Sequence, residues 1–236
     1  MADSHADEEG IPSGQKSRHA KGSASLPVIV PLAEPDVQAA ARLYTEVFRA
    51  DEPTSCRHVM EPALFFHYAQ FYLRSMVTKD LSFIARDEKT QDIAGFIFCF
   101  DHADLNEAYT NESPEVLAFL EHFREDIAMI SELEEHTLHT STASRGMLFH
   151  IFHIGVSRKY RNLGVAGSLI RQAVAHAQNR GFRQVITDCT SPASRRVFEQ
   201  FGFYEAGHFA YESFSMNGKR FFAGLDGGIS LMVKDL

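Results

Sequence analysis

The chain predicts a single α/β domain, and three observations carry that expectation. Apolar runs of strand length alternate with amphipathic helical stretches from Val28 to Lys234. A strand over 147–156 passes through a short glycine-containing loop directly into a helix. The composition, 44% apolar and 11% aromatic over 236 residues, is that of a globular chain large enough for one well-packed core and too short for two.

The elements follow in order. Residues 1–25 hold Gly, Ser, Lys, His and acids with almost no branched apolar side chains, so they are expected to form a disordered tail ahead of a domain over 26–236. Val28, Ile29 and Val30 begin the first strand. After Pro35, Val37, Ala41, Tyr44 and Phe48 fall on one helical face, and that helix stops in the segment ending at Pro53, whose ring disfavours helical backbone before it. A second helix, over 61–78, carries Phe65, Phe66, Tyr68, Phe71 and Tyr72 as core or as the wall of an aromatic pocket. Strands over 81–86 and 93–100 come next. Residues 113–138 read as one long acid-rich helical insert, a solvated face or a rim attracting polycations, and 139–146 as a loop.

After the strand over 147–156, a helix places Leu169, Ile170, Ala173, Val174 and Ala177 on one face, with Gly181 at its C-terminal stop. A short strand over 184–188 precedes a helix that starts at Ser191-Pro192, a serine cap followed by proline in the first turn. That helix closes at Gly202. Strands over 204–213 and 228–234 end the chain.

Charge and cysteine usage exclude several classes. A net charge of −8 argues against binding a phosphate backbone, and no nucleic-acid partner is expected. Cys56, Cys99 and Cys189 show no CxxC spacing, as in a reduced, cytoplasmic protein, and no metal ligand set is expected. No apolar run reaches 18 residues and the first ten residues lack a secretion signal, so no membrane partner is expected. A homodimer is left open.

The most informative segment is Arg161-Asn162-Leu163-Gly164-Val165-Ala166. Small residues here let the backbone approach a ligand, and a helix begins inside the loop, so its unpaired N–H groups and positive dipole end converge. Such a point binds phosphate oxygens, and Arg158, Lys159 and Arg161 add positive charge. The simpler alternative is a tight strand-to-helix turn. Arg161-x-x-Gly164-x-Ala166 resembles the pyrophosphate loop of the GNAT (Gcn5-related N-acetyltransferase) superfamily, and Phe198 to Phe203, with its Gly-Phe pair, resembles that family's closing signature. The resemblance implies a central mixed, twisted sheet of six to seven strands flanked by helices and splayed between strands 4 and 5. It implies acetyl-CoA as cosubstrate, held by the backbone of Ile154, Gly155 and Val156 and by the N–H groups of Arg161, Asn162, Leu163, Gly164, Val165 and Ala166. His150 and His153 share the fourth strand, on opposite faces by its two-residue period, and are expected chiefly as core residues.

An amine attacks a thioester only when neutral, yet a lysine-like amine has a pKa of about 10.4, a deficit of about 4–5 kcal/mol at pH 7. A positioned carboxylate remedies this. Glu52, between the first helix and Pro53, is the candidate base, or else a solvated acid ending a helix. Asp51-Glu52-Pro53 also resembles a motif of insect-type arylalkylamine N-acetyltransferases whose glutamate is considered the base, and Thr190-Ser191-Pro192-Ala193-Ser194 resembles a segment with two functional hydroxyls four apart. That resemblance implies roles for Thr190 and Ser194 and a small-molecule amine as acceptor. Phe198 stands where many GNAT enzymes carry an acid tyrosine, which leaves Ser194 or Tyr204 as proton donor. Two other readings remain: a protein or peptide acetyltransferase, and a non-catalytic acyl-CoA-binding module.

Overall fold

The computed structural model describes residues 26–104, 114–138 and 144–236. The expected tail over 1–25 and most of the expected 139–146 loop lie outside the described residues. Seven strands form one mixed sheet in the order β1 (Val28–Pro31), β2 (Phe83–Arg86), β3 (Ile93–Asp101), β4 (Leu148–Val156), β5 (Gln184–Cys189), β7 (Gly228–Asp235) and β6 (Tyr204–Ala210). All neighbours are antiparallel except β4 and β5.

Helices cover both faces. On one lie α1 (Val37–Asp51) and α2 (Pro62–Val77), packing Tyr44, Phe65 and Leu73 against Phe96 and Phe98 of β3. On the other lie α5 (Val165–Asn179) and α6 (Pro192–Glu199), where Leu169, Ile170 and Phe198 meet Phe149 and Ile151. Each such fully buried side chain contributes on the order of 1.5–3 kcal/mol of transfer free energy. The acid-rich insert is two helices, α3 (Pro114–His122) and α4 (Arg124–Leu138), not one. The break at Phe123 lets its ring, and that of Phe119, turn toward α2, where Tyr68 stacks on Phe119. The strand expected to reach Ser213 ends at Ala210, because Tyr211–Ser213 form a 3₁₀ turn that buries the Tyr211 ring.

Two features of β4 shape the site. It pairs with β5 only through Leu148–His150 against Gln184–Ile186, after which the strands part. From Ile151 onward the β5-facing backbone groups of β4 therefore have no strand partner. The second feature is a bulge. Opposite consecutive Phe98 and Cys99, β4 places His153 and Ile151, so Phe152 is an extra residue. The bulge cancels the alternation expected for the two histidines. His150, Phe152 and His153 all face the α1–α2 side, with Phe152 ring centroids 5.4 Å from His150 and 4.3 Å from His153.

Candidate active site

A cleft of about 390 Å³ opens where β4 and β5 separate. One end is the loop between β4 and α5. Asn162 (φ 61°) and Gly164 (φ 79°) both take left-handed backbone, and the first helical bond of α5 is Ser168 N–H to Gly164 C=O. The amides before it are the unpaired N–H groups of a helix start, the arrangement that receives phosphate oxygens. Val156, Arg161 and Ala166 line this end of the cleft. Gly155 is required for packing, since a Cβ there would lie 2.4 Å from the Phe96 ring.

Arg161 donates to Asp51 Oδ2 at 2.5 Å and Arg158 to Oδ1 at 3.1 Å, which ties the loop to the end of α1. The Arg161 hydrogen bond, with Arg158 adding to it, holds the Asp51 carboxyl below the usual carboxylate range. Glu52 follows, in extended backbone at the C-cap of α1 (φ −85°, ψ 123°). Its carboxylate accepts from the Thr54 N–H at 3.1 Å, the Thr54 hydroxyl at 2.9 Å and the Ser55 N–H at 2.5 Å. Glu52 thus lines the cleft and also caps the turn that follows it.

The wall opposite the loop is aromatic. Tyr44, Phe48, Phe65, Tyr68, Phe119 and Phe123 line it. Of the α2 aromatics, Phe65 and Tyr68 are both core and wall, whereas Phe66, Phe71 and Tyr72 do not line the cleft. Asp51, Asp126 of α4 and Asp188 add further carboxylates to the lining, and Asp126 Oδ2 lies 2.5 Å from Nε2 of His58. Burial, with the nearby Glu52 and Asp126 carboxylates adding to it, pushes the Tyr211 hydroxyl above its ordinary value, and it donates to the Thr190 carbonyl at 2.7 Å. His153 hydrogen-bonds the Tyr44 hydroxyl through Nε2 at 3.2 Å, and burial pushes its pKa down to about 3. At neutral pH it is uncharged.

Past the splay, Thr190, Ser191, Ser194 and Phe198 line the β5 side. The Ser194 hydroxyl donates to the Ser191 carbonyl at 2.9 Å as part of the cap of α6. Cys189 lies beside it, its thiol pushed up to about 12 by burial. Of the two proton-donor candidates, Ser194 lines the cleft, whereas Tyr204 sits 49% exposed on β6 and outside the lining.

At the foot of the splay is a buried polar group that the sequence reading did not assemble: His102, His150, Glu134 and Asp188. Burial first, then the Asp188 charge, pushes Glu134 up to about 9, and burial, with His150 adding to it, brings His102 down to about 4. In sequence, Glu134 is one of the insert's acids, Asp188 belongs to a strand and His102 and His150 are separate histidines, so no spacing marks the four as neighbours.

The model of the acetyltransferase (GNAT) family matches residues 37–203, from the start of α1 through the Gly-Phe pair after α6. The chain belongs to the GNAT family. This acetyltransferase is also similar in fold to solved structures. Arylalkylamine N-acetyltransferase 2 from Aedes aegypti matches at 21% identity and a TM-score of 0.69, over 88% of this chain and 98% of that one. The polyamine N-acetyltransferase of Drosophila melanogaster, which catalyses the formation of N-acetylagmatine, matches at 16% identity and a TM-score of 0.62, over 89% and 99%. The C-terminal condensation domain of Ebony, solved with beta-alanyl-dopamine, matches at 18% identity and a TM-score of 0.68, over 89% and 98%. A search of curated proteins found no match. Among the described residues, no helix is long and apolar enough to cross a membrane.

Proposed function

We propose that this GNAT enzyme transfers acetyl from acetyl-CoA to the primary amine of a small arylalkylamine, with Glu52 as base. The observation that carries the reading is one continuous cleft that joins a helix start with unpaired N–H groups, an unpaired β4 edge and an aromatic wall, with the carboxylates of Asp51, Glu52, Asp126 and Asp188 in its lining. The helix start and loop amides would hold the pyrophosphate. The free β4 edge at Ile154 to Val156 would pair with the pantetheine amides and polarise the thioester carbonyl. A cationic amine is drawn in by the carboxylates while its apolar body is buried by rings.

In the reaction, Glu52 takes a proton from the ammonium, directly or through a water. The freed nitrogen pair attacks the carbonyl carbon, the nitrogen, now positively charged, gives its second proton to solvent, and the tetrahedral oxyanion collapses with cleavage of the C–S bond and loss of the CoA thiolate. A free thiol of this kind has a pKa of about 8.5, so the leaving group departs readily and Ser194 or solvent completes its protonation. Polyamines are the second acceptor class, favoured by the further carboxylates of the lining, Asp51 and Asp188.

The test is thiol release from acetyl-CoA against a panel of arylalkylamines, polyamines, amino acids and lysine-containing peptides. The expected result is turnover highest with arylalkylamines. Preference for peptides would overturn the acceptor assignment, and CoA binding without turnover on any amine would identify a binding module instead.

A further inference from the structure

We propose that His102, His150 and Glu134 form a binding site for a divalent ion of the zinc class at the point where β4 and β5 part. The inference does not rest on the proposed acceptor or base. The three residues come from three elements: His102 from the turn just after β3, His150 from the last β4 position paired with β5, and Glu134 from α4. Nδ1 of His102 lies 3.2 Å from Nδ1 of His150, which lies 3.8 Å from Glu134 Oε1, and the three ligand atoms fall within 4.8 Å of one another. Tetrahedral coordination with bonds of about 2.0–2.1 Å sets ligand atoms about 3.3 Å apart, so these separations need adjustments of only tenths of an ångström for two of the edges.

Three further observations point to an ion. The Nε2 of His150 is 3.1 Å from Asp188 Oδ2. With Nε2 donating to that carboxylate, His150 presents its Nδ1 lone pair to the group, the arrangement in which a carboxylate orients a metal-bound histidine. Glu134 and Asp188 bring two buried carboxyl groups together, each side chain 6% exposed, and neither Glu134 Oε1 nor Asp188 Oδ1 accepts a hydrogen bond from another residue's N–H or hydroxyl. Two buried carboxyls side by side need either a shared proton or a cation between them, and a cation takes that proton's place. Two imidazole nitrogens facing one another also need either a proton or a metal between them. The donor set of two imidazoles and one carboxylate suits zinc and its neighbours, whereas calcium and magnesium require oxygen ligands throughout. The ion would pin β3, β4 and α4 together and so set where the cleft begins.

The experiment uses the full chain, stripped with a chelator and titrated with Co²⁺ as a spectroscopic substitute. The expected result is a visible d–d absorption of four-coordinate cobalt that saturates at one equivalent, is displaced by Zn²⁺, and is absent in both Glu134→Gln and His102→Gln. Proton NMR of the cobalt form guards against variants that fail to fold. It should show shifted imidazole N–H signals, among them a slowly exchanging one from His150 Nε2, protected by burial. Overturning results are absence of the absorption in the wild-type chain, its persistence in either folded variant, a sulfur-to-cobalt charge-transfer band indicating Cys ligation, or a cobalt form that lacks the slowly exchanging N–H.

Discussion

Arg161 of the loop between β4 and α5 hydrogen-bonds Asp51, the residue immediately before Glu52. The same Asp51 carboxylate also receives Arg158. One acid thus holds two of the three cations near the loop and adjoins the candidate base.

That contact competes with a phosphate for the same guanidinium. The pair is partly exposed, so its worth is about 1 kcal/mol or less. Asp51→Asn frees Arg161 and Arg158 and removes a negative charge beside the pyrophosphate. The expected outcome in calorimetry is CoA binding tighter by about two- to fivefold, with little change in melting temperature. Unchanged or weaker binding means that Arg161 does not reach the phosphates.

Glu52 is both a cap and the proposed base, and Glu52→Gln separates the roles. The amide oxygen still accepts from Thr54 or Ser55, so the melting temperature should fall only slightly. Turnover should fall by about 10²–10⁴ and recover as pH rises toward the amine pKa, because solvent then takes the proton. Thr54→Val removes one donor to the carboxylate while leaving the base, and should have the smaller effect on rate. Parallel pH–rate profiles between roughly 6 and 10, differing by less than about fivefold, would assign Glu52 a structural role only.

Gly164 has positive φ and open space where a side chain would stand. Gly164→Ala should lower stability by about 1–2 kcal/mol through backbone strain while leaving CoA affinity close to wild type. Gly164→Glu carries the same strain and adds a negative charge at the helix start, so CoA binding should be lost. Equal affinities of the two variants in calorimetry would place the pyrophosphate elsewhere.

His153 predicts a pH dependence of stability. Its folded pKa, about 3, lies below the ordinary imidazole value of 6.5, so between these values the unfolded chain binds more protons. Stability therefore rises with pH across that window, by at most about 1.4 kcal/mol per unit from this residue, and levels off above it. Denaturant unfolding of Tyr44→Phe/His153→Phe, in which neither polar partner is stranded, should show a shallower slope between pH 4 and 6 than Tyr44→Phe alone. Identical slopes would mean that His153 titrates normally in the folded protein.

Local chemistry was legible in the sequence. The helix over α1 followed from the spacing of Val37, Ala41, Tyr44 and Phe48, the cap of α6 from Ser191-Pro192, and the helix start inside the 161–166 loop from Gly164, because each depends on residues only a few positions apart. The same was true of Glu52, held extended before Pro53. Tertiary structure decided the rest. A period of two put His150 and His153 on opposite faces, and only the pairing of β3 with β4 reveals the bulge at Phe152 that brings both to one side. Asp126 and Glu134 read as members of a solvated acidic face, yet the break at Phe123 turns α4 so that both are buried, one beside the cleft and one beside His150. Sequence carries period and propensity, which are local. The positions of His102, Glu134, His150 and Asp188 relative to one another depend on where strands part and helices cross, and those are set by packing across the whole chain.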